Sequence, residues 1–409
     1  MVILHIILLK LLSIEFIDVI GIWYKIVFII AKKMKVEYDI CVVSFSDIRF
    51  DGRSRNLIEA LINLNKKIIV FSLTPINPFE KKIEHITIKT NYNRRVLFRW
   101  FMFNKAVKRH LKNIKYEIYW AADLYSLVCG NRYLIYDSRE IYSALSVLHS
   151  SPIRQKIVAL IERYYIKNIK ILITSGKRDS DYVKEKYSLD VPVYEICNYP
   201  KYSVYANSNT IRERLNINED KIVLLYQGVL LPGRGLIPVM EAIKDDTKYV
   251  LVVLGEGTFV DKLKEYATKL NIADRTYFVG NIEYNDLHNW TCSADIGLCN
   301  IEPLSLSYQF ALPNKLFEYI LAELPVLATD LPALKEVVNR KLGVIISQNN
   351  NEKEIITALN DLALNKNIYK ENIKNVKNNY VYESQYELIK TVVCTSHIIY
   401  ITYLFVFFN

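Results

Sequence analysis

The stretch Ala311-Leu-Pro-Asn-Lys-Leu-Phe-Glu-Tyr-Ile-Leu-Ala-Glu-Leu-Pro-Val326 sets a cation, Lys315, three residues before a carboxylate, Glu318. Pro313 is predicted at the first helical position, which places Asn314 and Lys315 in the first turn and Glu318 one turn on, with the two charges on one face. A nucleoside diphosphate asks for this combination: a cation and free N–H groups for the phosphates, and a carboxylate to accept hydrogen bonds from ribose hydroxyls. The same spacing on a solvated helix is a surface ion pair and nothing more. A second feature bears on the choice. Glycine is scarce, yet six of the 12 glycines fall between 228 and 280: Gly228, Gly233, Gly235, Gly255, Gly257 and Gly280. Gly228 follows a strand predicted at 222 to 226, and Gly233-Arg-Gly235 opens a helix running to about Lys244. Such a turn lets backbone approach a ligand, and the helix N-terminus offers N–H groups and a positive dipole end to a phosphate. Arg234 adds a cation there. The pattern is neither the dinucleotide GxGxxG nor a Walker A loop, which disfavours NAD and ATP phosphate-loop chemistry. His288 and His397 have no partner by spacing and read as structural or surface residues.

The elements that must position these residues alternate along the chain. Asp39-Ile-Cys-Val-Val-Ser-Phe45, a helix from about Ser54 to Asn65, and Lys67-Ile-Ile-Val-Phe-Ser-Leu73 read as βαβ. Apolar runs at 133 to 136 and 169 to 174 alternate with helices near 154 to 167 and 177 to 187, predicting a parallel sheet covered on both faces. After the loop-like segment around Pro200 and Asn207-Ser-Asn209, strands are predicted at 222 to 226, 249 to 254, 276 to 279, 294 to 299, 325 to 328 and 343 to 346. The expected fold class is therefore α/β with two doubly wound domains. The predicted division is an apolar segment at 1–35, domains at 36–198 and 199–375, a crossover helix at 376–395 and an apolar tail at 396–409. A length of 409 residues fits two domains. No internal repeat is visible.

Lys and Arg number 53 against 43 Asp and Glu, a net charge of +10, so the location of the basic residues decides what they mean. Between Arg94 and Lys115 lie eight basic residues and no acidic one. Helical spacing there puts Trp100, Phe103, Val107, Leu111 and Ile114 on one face and Lys105, Lys108, Arg109 and Lys112 on the other. A packed helix with a solvated basic face explains this, and so does attraction to an anionic bilayer. Nucleic acid is not an expected partner, since no recognition module surrounds the helix. The six cysteines show no CxxC and no short pairing, which argues against a disulfide frame or a zinc site. Residues 1 to 31 are apolar but carry Lys10, Glu15, Asp18 and Lys25, so they fail as an uncharged span. An interfacial helix, a signal anchor, and a start placed upstream of the true one at Met34 are the three readings of this segment. The run from Ile398 to Phe408 is too short to span a bilayer.

Tyr226-Gln-Gly-Val-Leu-Leu-Pro-Gly-Arg-Gly-Leu236, Leu254-Gly-Glu-Gly257, Tyr277-Phe-Val-Gly280, Ser293-Ala-Asp-Ile-Gly297 and Leu312-Pro-Asn-Lys-Leu-Phe-Glu318 resemble, in content and order, the C-terminal half of retaining glycosyltransferases of the GT4 type. Ala121-Ala-Asp123 and Tyr136-Asp-Ser-Arg-Glu-Ile141 resemble that family's acceptor-side landmarks. The resemblance implies a GT-B fold, two Rossmann-like domains facing across a cleft with the donor nucleotide sugar held mainly by the second. It implies no metal and no cofactor beyond the nucleotide-sugar cosubstrate. By the same resemblance Arg234 and Lys315 bind the diphosphate and stabilise the departing nucleoside diphosphate, with Gly228, Gly255, Gly257 and Asn314 around them. Glu318 holds the ribose, Asn281 and Ile282 border the base, and Gly52 and Arg53, in the loop after the first strand, face the diphosphate. The segment from Tyr380 to Ile389 resembles the family's closing helix.

Three positions depart from the family pattern. Phe310 stands where an acidic residue often contacts the donor sugar, Arg139 stands where a histidine is usual, and Glu323 replaces a small residue. Arg139 is a candidate for binding a phosphate or a sugar hydroxyl, though it cannot shuttle protons at neutral pH. What the resemblance implies is a glycosyltransferase that moves a sugar, with retention, to a glycan or lipid-linked acceptor in surface polysaccharide or glycoconjugate synthesis. It would work in the cytoplasm, peripheral on the inner membrane face. An inactive scaffold or nucleotide-sugar-binding protein, and a sugar-nucleotide epimerase of the same fold, are the alternatives.

Overall fold

The computed structural model of the chain describes residues 37–130, 133–145, 151–202, 208–339 and 341–408. The predicted segment at 1–35 lies outside the described residues. Among the described residues, thirteen strands form two parallel sheets. The first contains β1 (Tyr38–Val43), β2 (Ile68–Ser72), β3 (Glu84–Thr87), β4 (Tyr116–Ala121), β5 (Tyr133–Ser138), β6 (Ile171–Thr174) and β7 (Val193–Glu195), in the order β3-β2-β1-β4-β5-β6-β7. The second contains β8 (Ile222–Gln227), β9 (Tyr249–Leu254), β10 (Thr276–Gly280), β11 (Ile296–Cys299), β12 (Val326–Thr329) and β13 (Gly343–Ile346), in the order β10-β9-β8-β11-β12-β13. Central strands such as β2 and β9 read as unbroken, fully buried apolar runs because helices cover both faces of a parallel sheet. In β8 and β9, Val223, Leu225, Val250 and Val252 pack into one core with Phe317 and Ile320. Their neighbours Leu224, Tyr226, Leu251 and Val253 pack into another with Val239, Met240 and Leu359. Alternate residues of one strand thus feed two cores.

The chain divides into two compact units. One holds the described residues up to Asp137, Asn168–Ile171 and the residues from Lys390; the other holds Ser138–Lys167 and Leu172–Ile389. In the first, the side chain of Asp51 accepts from the Ser54 N–H and caps the helix Gly52–Asn63. Gly52 and Arg53 therefore open a helix, where the sequence reading had them in a loop. Between Arg94 and Lys115 the helix runs Val96–Leu111, with Phe103 and Val107 fully buried and Trp100 half-buried, its indole N–H donating to the Tyr125 carbonyl at 2.8 Å. Leu111 and Ile114 are half-buried. The predicted closing helix and tail are 3-10 turns at Lys377–Tyr380 and Tyr382–Gln385 followed by one helix, Tyr386–Phe408. No helix among the described residues is long and apolar enough to cross a membrane.

Candidate active site

The second unit brings most of the predicted residues to one place, at the C-terminal ends of its parallel strands, where ligand sites of open α/β sheets form. A pocket of about 410 Å³ is lined by Tyr226 and Gln227 at the end of β8 with Gly228 and Val229 after it, Arg234, Leu254 at the end of β9 with Gly255 and Glu256 after it, Asn281 and Ile282 after β10, Leu287, and Pro313, Asn314, Lys315 and Glu318. Parallel register sets this up. β8 pairs with β9 from Ile222↔Tyr249 to Gln227↔Leu254, so Gly228 and Gly255 leave their strands side by side. A Cβ on Gly255 would sit 2.1 Å from the Gly228 carbonyl oxygen, and the Gly255 φ is +120°, so only glycine fits. Gly257 is not in the pocket lining.

The helix Asn314–Leu321 begins one residue later than predicted, because Pro313 is extended with ψ of 144° and serves as the N-cap, without a side-chain cap bond. The Leu316 N–H donates to the Pro313 carbonyl at 3.0 Å, and the N–H groups of Asn314 and Lys315, both in the pocket lining, are the ones left to face a ligand. Six of its eight residues are buried, and the Tyr319 ring lies against Gly297 of β11, where a Cβ would come within 2.5 Å. The Tyr319 hydroxyl donates to the Leu225 carbonyl at 3.1 Å and accepts from the Gln227 N–H at 3.2 Å. This ties the helix bearing Lys315 and Glu318 to the end of β8.

Lys315 is 7% exposed, and its Nζ lies 3.5 Å from the centre of the Tyr226 ring. The ring face supports the charged form, but burial, with Arg234 adding to it, pushes the ammonium down to about 7, against the pull of Cys299 and Glu318. Burial raises the Glu318 carboxyl, while a hydrogen bond from Gln227 and the charge of Lys315 hold it back. Gln227 Nε2 donates to Glu318 Oε2, and Thr291 Oγ1 donates to Gln227 Oε1 at 2.9 Å. The Arg234 guanidinium lies 4.7 Å from the centre of the Tyr308 ring, and its Nε is buried with no hydrogen-bond partner among the described residues. The turn that presents it is held by Asn300 Nδ2 donating to the Gly235 carbonyl at 2.6 Å and by the Glu302 N–H donating to the Gly233 carbonyl at 3.0 Å. Two cations, an open helix N-terminus and one carboxylate thus converge. This arrangement suits a ligand with adjacent anionic groups and a vicinal diol.

Of the other predicted residues, Arg53 lies in the first unit and is 4% exposed. Its Nε and Nη2 bind Asp137, the latter at 2.6 Å, so its charge is committed to a buried carboxylate. Arg139 is half-buried after β5 and outside the pocket lining; its carbonyl accepts from Ser175 Oγ at 2.7 Å. Reading by motif passed over Tyr226, Gln227 and Glu256. The available signal was a glutamine ending an otherwise apolar strand, since a polar side chain there is buried and must find partners.

Two parallel α/β sheets with this site define the GT-B fold. Residues 207–379 match the family model described as glycosyl transferases group 1. Among curated proteins it is 27% identical over 188 residues to an uncharacterized glycosyltransferase of Methanocaldococcus jannaschii, which spans 43% of this chain and 43% of that protein. It is 25% identical over 202 residues to the alpha-monoglucosyldiacylglycerol synthase of Streptococcus pneumoniae, covering 46% of this chain and 44% of that one. The aligned stretch is thus under half the length of either relative. Among solved structures, Anabaena HepE in complex with UDP-glucose superposes with a TM-score of 0.69 at 15% identity, covering 88% of this chain and 100% of HepE.

Proposed function

We propose that the protein is a glycosyltransferase that takes a sugar from a nucleotide-sugar donor held in the second unit. The observation that carries this is the convergence of Arg234, Lys315, Glu318 and the open N-terminus of Asn314–Leu321 on one pocket. Arg234 and Lys315 meet the diphosphate and stabilise the charge that grows on it as the sugar leaves. Glu318 receives the ribose hydroxyls, and Asn281 and Ile282 border the base. In this reading the chemistry is of the retaining, GT4-like type and draws on no metal: the acceptor hydroxyl attacks from the face the leaving group departs, and the leaving phosphate takes its proton. Thermal-shift titration with UDP, GDP, CMP and dTDP and their common sugars tests the donor site. Stabilisation by one nucleotide, absent in a Lys315→Ala, Glu318→Ala double variant, supports it; no shift at millimolar concentration refutes it. Transfer from a radiolabelled donor then separates an active enzyme from an inactive scaffold.

The acceptor in this proposal is a glycan or lipid-linked molecule at an anionic membrane surface, on the cytoplasmic side. The helix Val96–Leu111 leaves Val96, Leu97, Phe98, Phe101 and Met102 exposed beside exposed Arg94, Arg95, Lys105, Lys108, Arg109 and Lys112. The helix Pro152–Ile166 exposes Ile153, Ile157, Leu160 and Tyr164 at helical spacing, with Arg154, Lys156 and Arg163 exposed alongside. Apolar side chains rimmed by cations suit insertion at the headgroup boundary. Co-sedimentation with phosphatidylglycerol vesicles, weakened by salt and by Leu97→Ser, Phe101→Ser substitution, is the expected result. Equal recovery with phosphatidylcholine vesicles counts against it.

A further inference from the structure

Behind Glu318 stand two polar side chains that the proposed chemistry has not used, Gln227 in the pocket lining and Thr291 beyond it, so that three elements meet in one polar chain. Gln227 is 3% exposed and ends β8; Thr291 is 1% exposed on the helix Tyr284–Cys292. A carboxylate accepts and cannot donate, so only the amide NH2 of Gln227 can face Glu318. The amide oxygen then points away, and there it accepts from Thr291 Oγ1 at 2.9 Å. That hydroxyl also lies 2.9 Å from the Leu287 carbonyl, one turn back on its own helix, so its single hydrogen is confined to the arc between these two acceptors. The Gln227 backbone is fixed as well, its N–H donating to the Tyr319 hydroxyl on the helix that bears Glu318.

We infer that Gln227, oriented by Thr291, is a positioning residue that aims the Glu318 carboxylate at a ribose diol and so makes the site select ribonucleoside over deoxyribonucleoside diphosphates. The inference rests on the donor-site reading above. Gln227 occupies Glu318 Oε2 from the strand side. Oε1 and the remaining lone pair of Oε2 are left for the ligand. An amide anchored at its far end holds that carboxylate in one rotamer before the nucleotide arrives, so binding does not have to order it. The amide also supports the ionised form of Glu318 against burial. An ionised, fixed carboxylate discriminates a hydroxyl from a hydrogen more sharply than a mobile one, because the analogue without the hydroxyl leaves it unpaired.

The test is calorimetric binding to the full chain. The best binder among UDP, GDP, ADP and CDP is compared with its 2′-deoxy counterpart in wild type, Gln227→Leu and Thr291→Val. The wild type should prefer the ribonucleotide by about tenfold or more, as for a hydrogen bond to a charged group. In Gln227→Leu the ratio should fall to about one to three, with the ribonucleotide weakened and the deoxynucleotide little changed. Thr291→Val leaves the amide in place but frees its orientation, and should lower the ratio part of the way. A variant that weakens both nucleotides equally, or leaves the ratio at the wild-type value, overturns the positioning role while the donor site stands. Should wild type bind none of these four, this inference falls, and the donor-site reading falls with it if CMP and dTDP do not bind either. Should Gln227→Leu fail to fold, the ratio in Thr291→Val decides alone, and an unchanged ratio there overturns the proposal.

Discussion

Raising the pH from 7 to 9 should weaken nucleoside diphosphate binding, because Lys315 in the ligand-free site loses its charge over that range. With its value near 7, about nine-tenths of Lys315 is neutral at pH 8. A diphosphate in the pocket favours the ammonium. One unit charge about 4 Å away at an effective dielectric of about 20 contributes about 4 kcal/mol, or about three pKa units, so the bound form stays charged to roughly pH 9 or beyond. The sign follows from the bound value lying above the free one. Affinity is fully present below about 7, is lost progressively as pH rises, and levels off only above the bound value. In that window the dissociation constant should rise about tenfold per pH unit, a loss of about 1.4 kcal/mol at pH 8 and about 2.7 at pH 9. Above about pH 7.5 the terminal phosphate is itself ionised, its second pKa being about 6, so proton uptake there belongs to the protein. Titration calorimetry with UDP at pH 8, in two buffers of different ionisation enthalpy, should show uptake of about 0.9 proton. Lys315→Arg keeps its charge throughout, so any binding it retains should lose the pH slope. A wild-type affinity that is flat from pH 7 to 9, with no proton uptake, would falsify the reasoning. Either Lys315 is already charged in the free protein or it does not meet the phosphates.

The same buried lysine sets a prediction for the ligand-free protein: Lys315→Met should raise its stability near pH 6 by up to about 4 kcal/mol while abolishing stabilisation by nucleotide, read by urea denaturation with and without UDP. Stability of the wild type should correspondingly climb as pH rises above about 7, since the unfolded lysine holds its proton to higher pH than the native one. Arg234→Ala should lower kcat by about 100-fold or more with a smaller change in KM, because charge on the leaving diphosphate is greatest in the transition state; a change confined to KM would limit Arg234 to ground-state binding. Arg53→Met should destabilise the protein by about 3–5 kcal/mol by stranding Asp137, and Arg53→Met, Asp137→Leu should recover much of that. Weaker nucleotide binding by Arg53→Met without loss of stability would instead return Arg53 to the diphosphate. Gly255→Ala should cost about 2–4 kcal/mol, since its Cβ meets the Gly228 oxygen at 2.1 Å; a melting temperature equal to wild type would show that the turn has room to shift.

The six-stranded sheet was legible almost to the residue, and the seven-stranded one only in part, for a physical reason. Strands buried on both faces must be apolar almost throughout, so β9 and β11 announce themselves. β3 and β7 stand at the edges of the other sheet, pair on one side only, and tolerate Glu84, His85 and Glu195. β4 is central, yet it carries Glu117 within Tyr116–Ala121, and that carboxylate finds His397 at 3.0 Å, some 280 positions along the chain. A charge satisfied at such a distance breaks the apolar pattern that marks a strand.

The site divides along the same line. Gly228, Arg234, Gly255, Lys315 and Glu318 sit in local motifs whose spacing alone suggests phosphate and ribose chemistry, and they meet in one pocket. What that spacing could not convey is how each charge is controlled. Arg53 is committed to Asp137 across 84 positions and Gln227 to Glu318 across 91. Neither pairing leaves a periodic trace, because each joins a residue at the end of a strand to one on a helix far away along the chain. Lys315 illustrates the consequence. Its motif predicts a cation, but burial lowers it to about 7, so above neutral pH its charge depends on a partner of opposite sign. The motif therefore specifies the ligand's chemistry, and the fold sets how far Lys315 must take up a proton from solution when an anionic ligand binds.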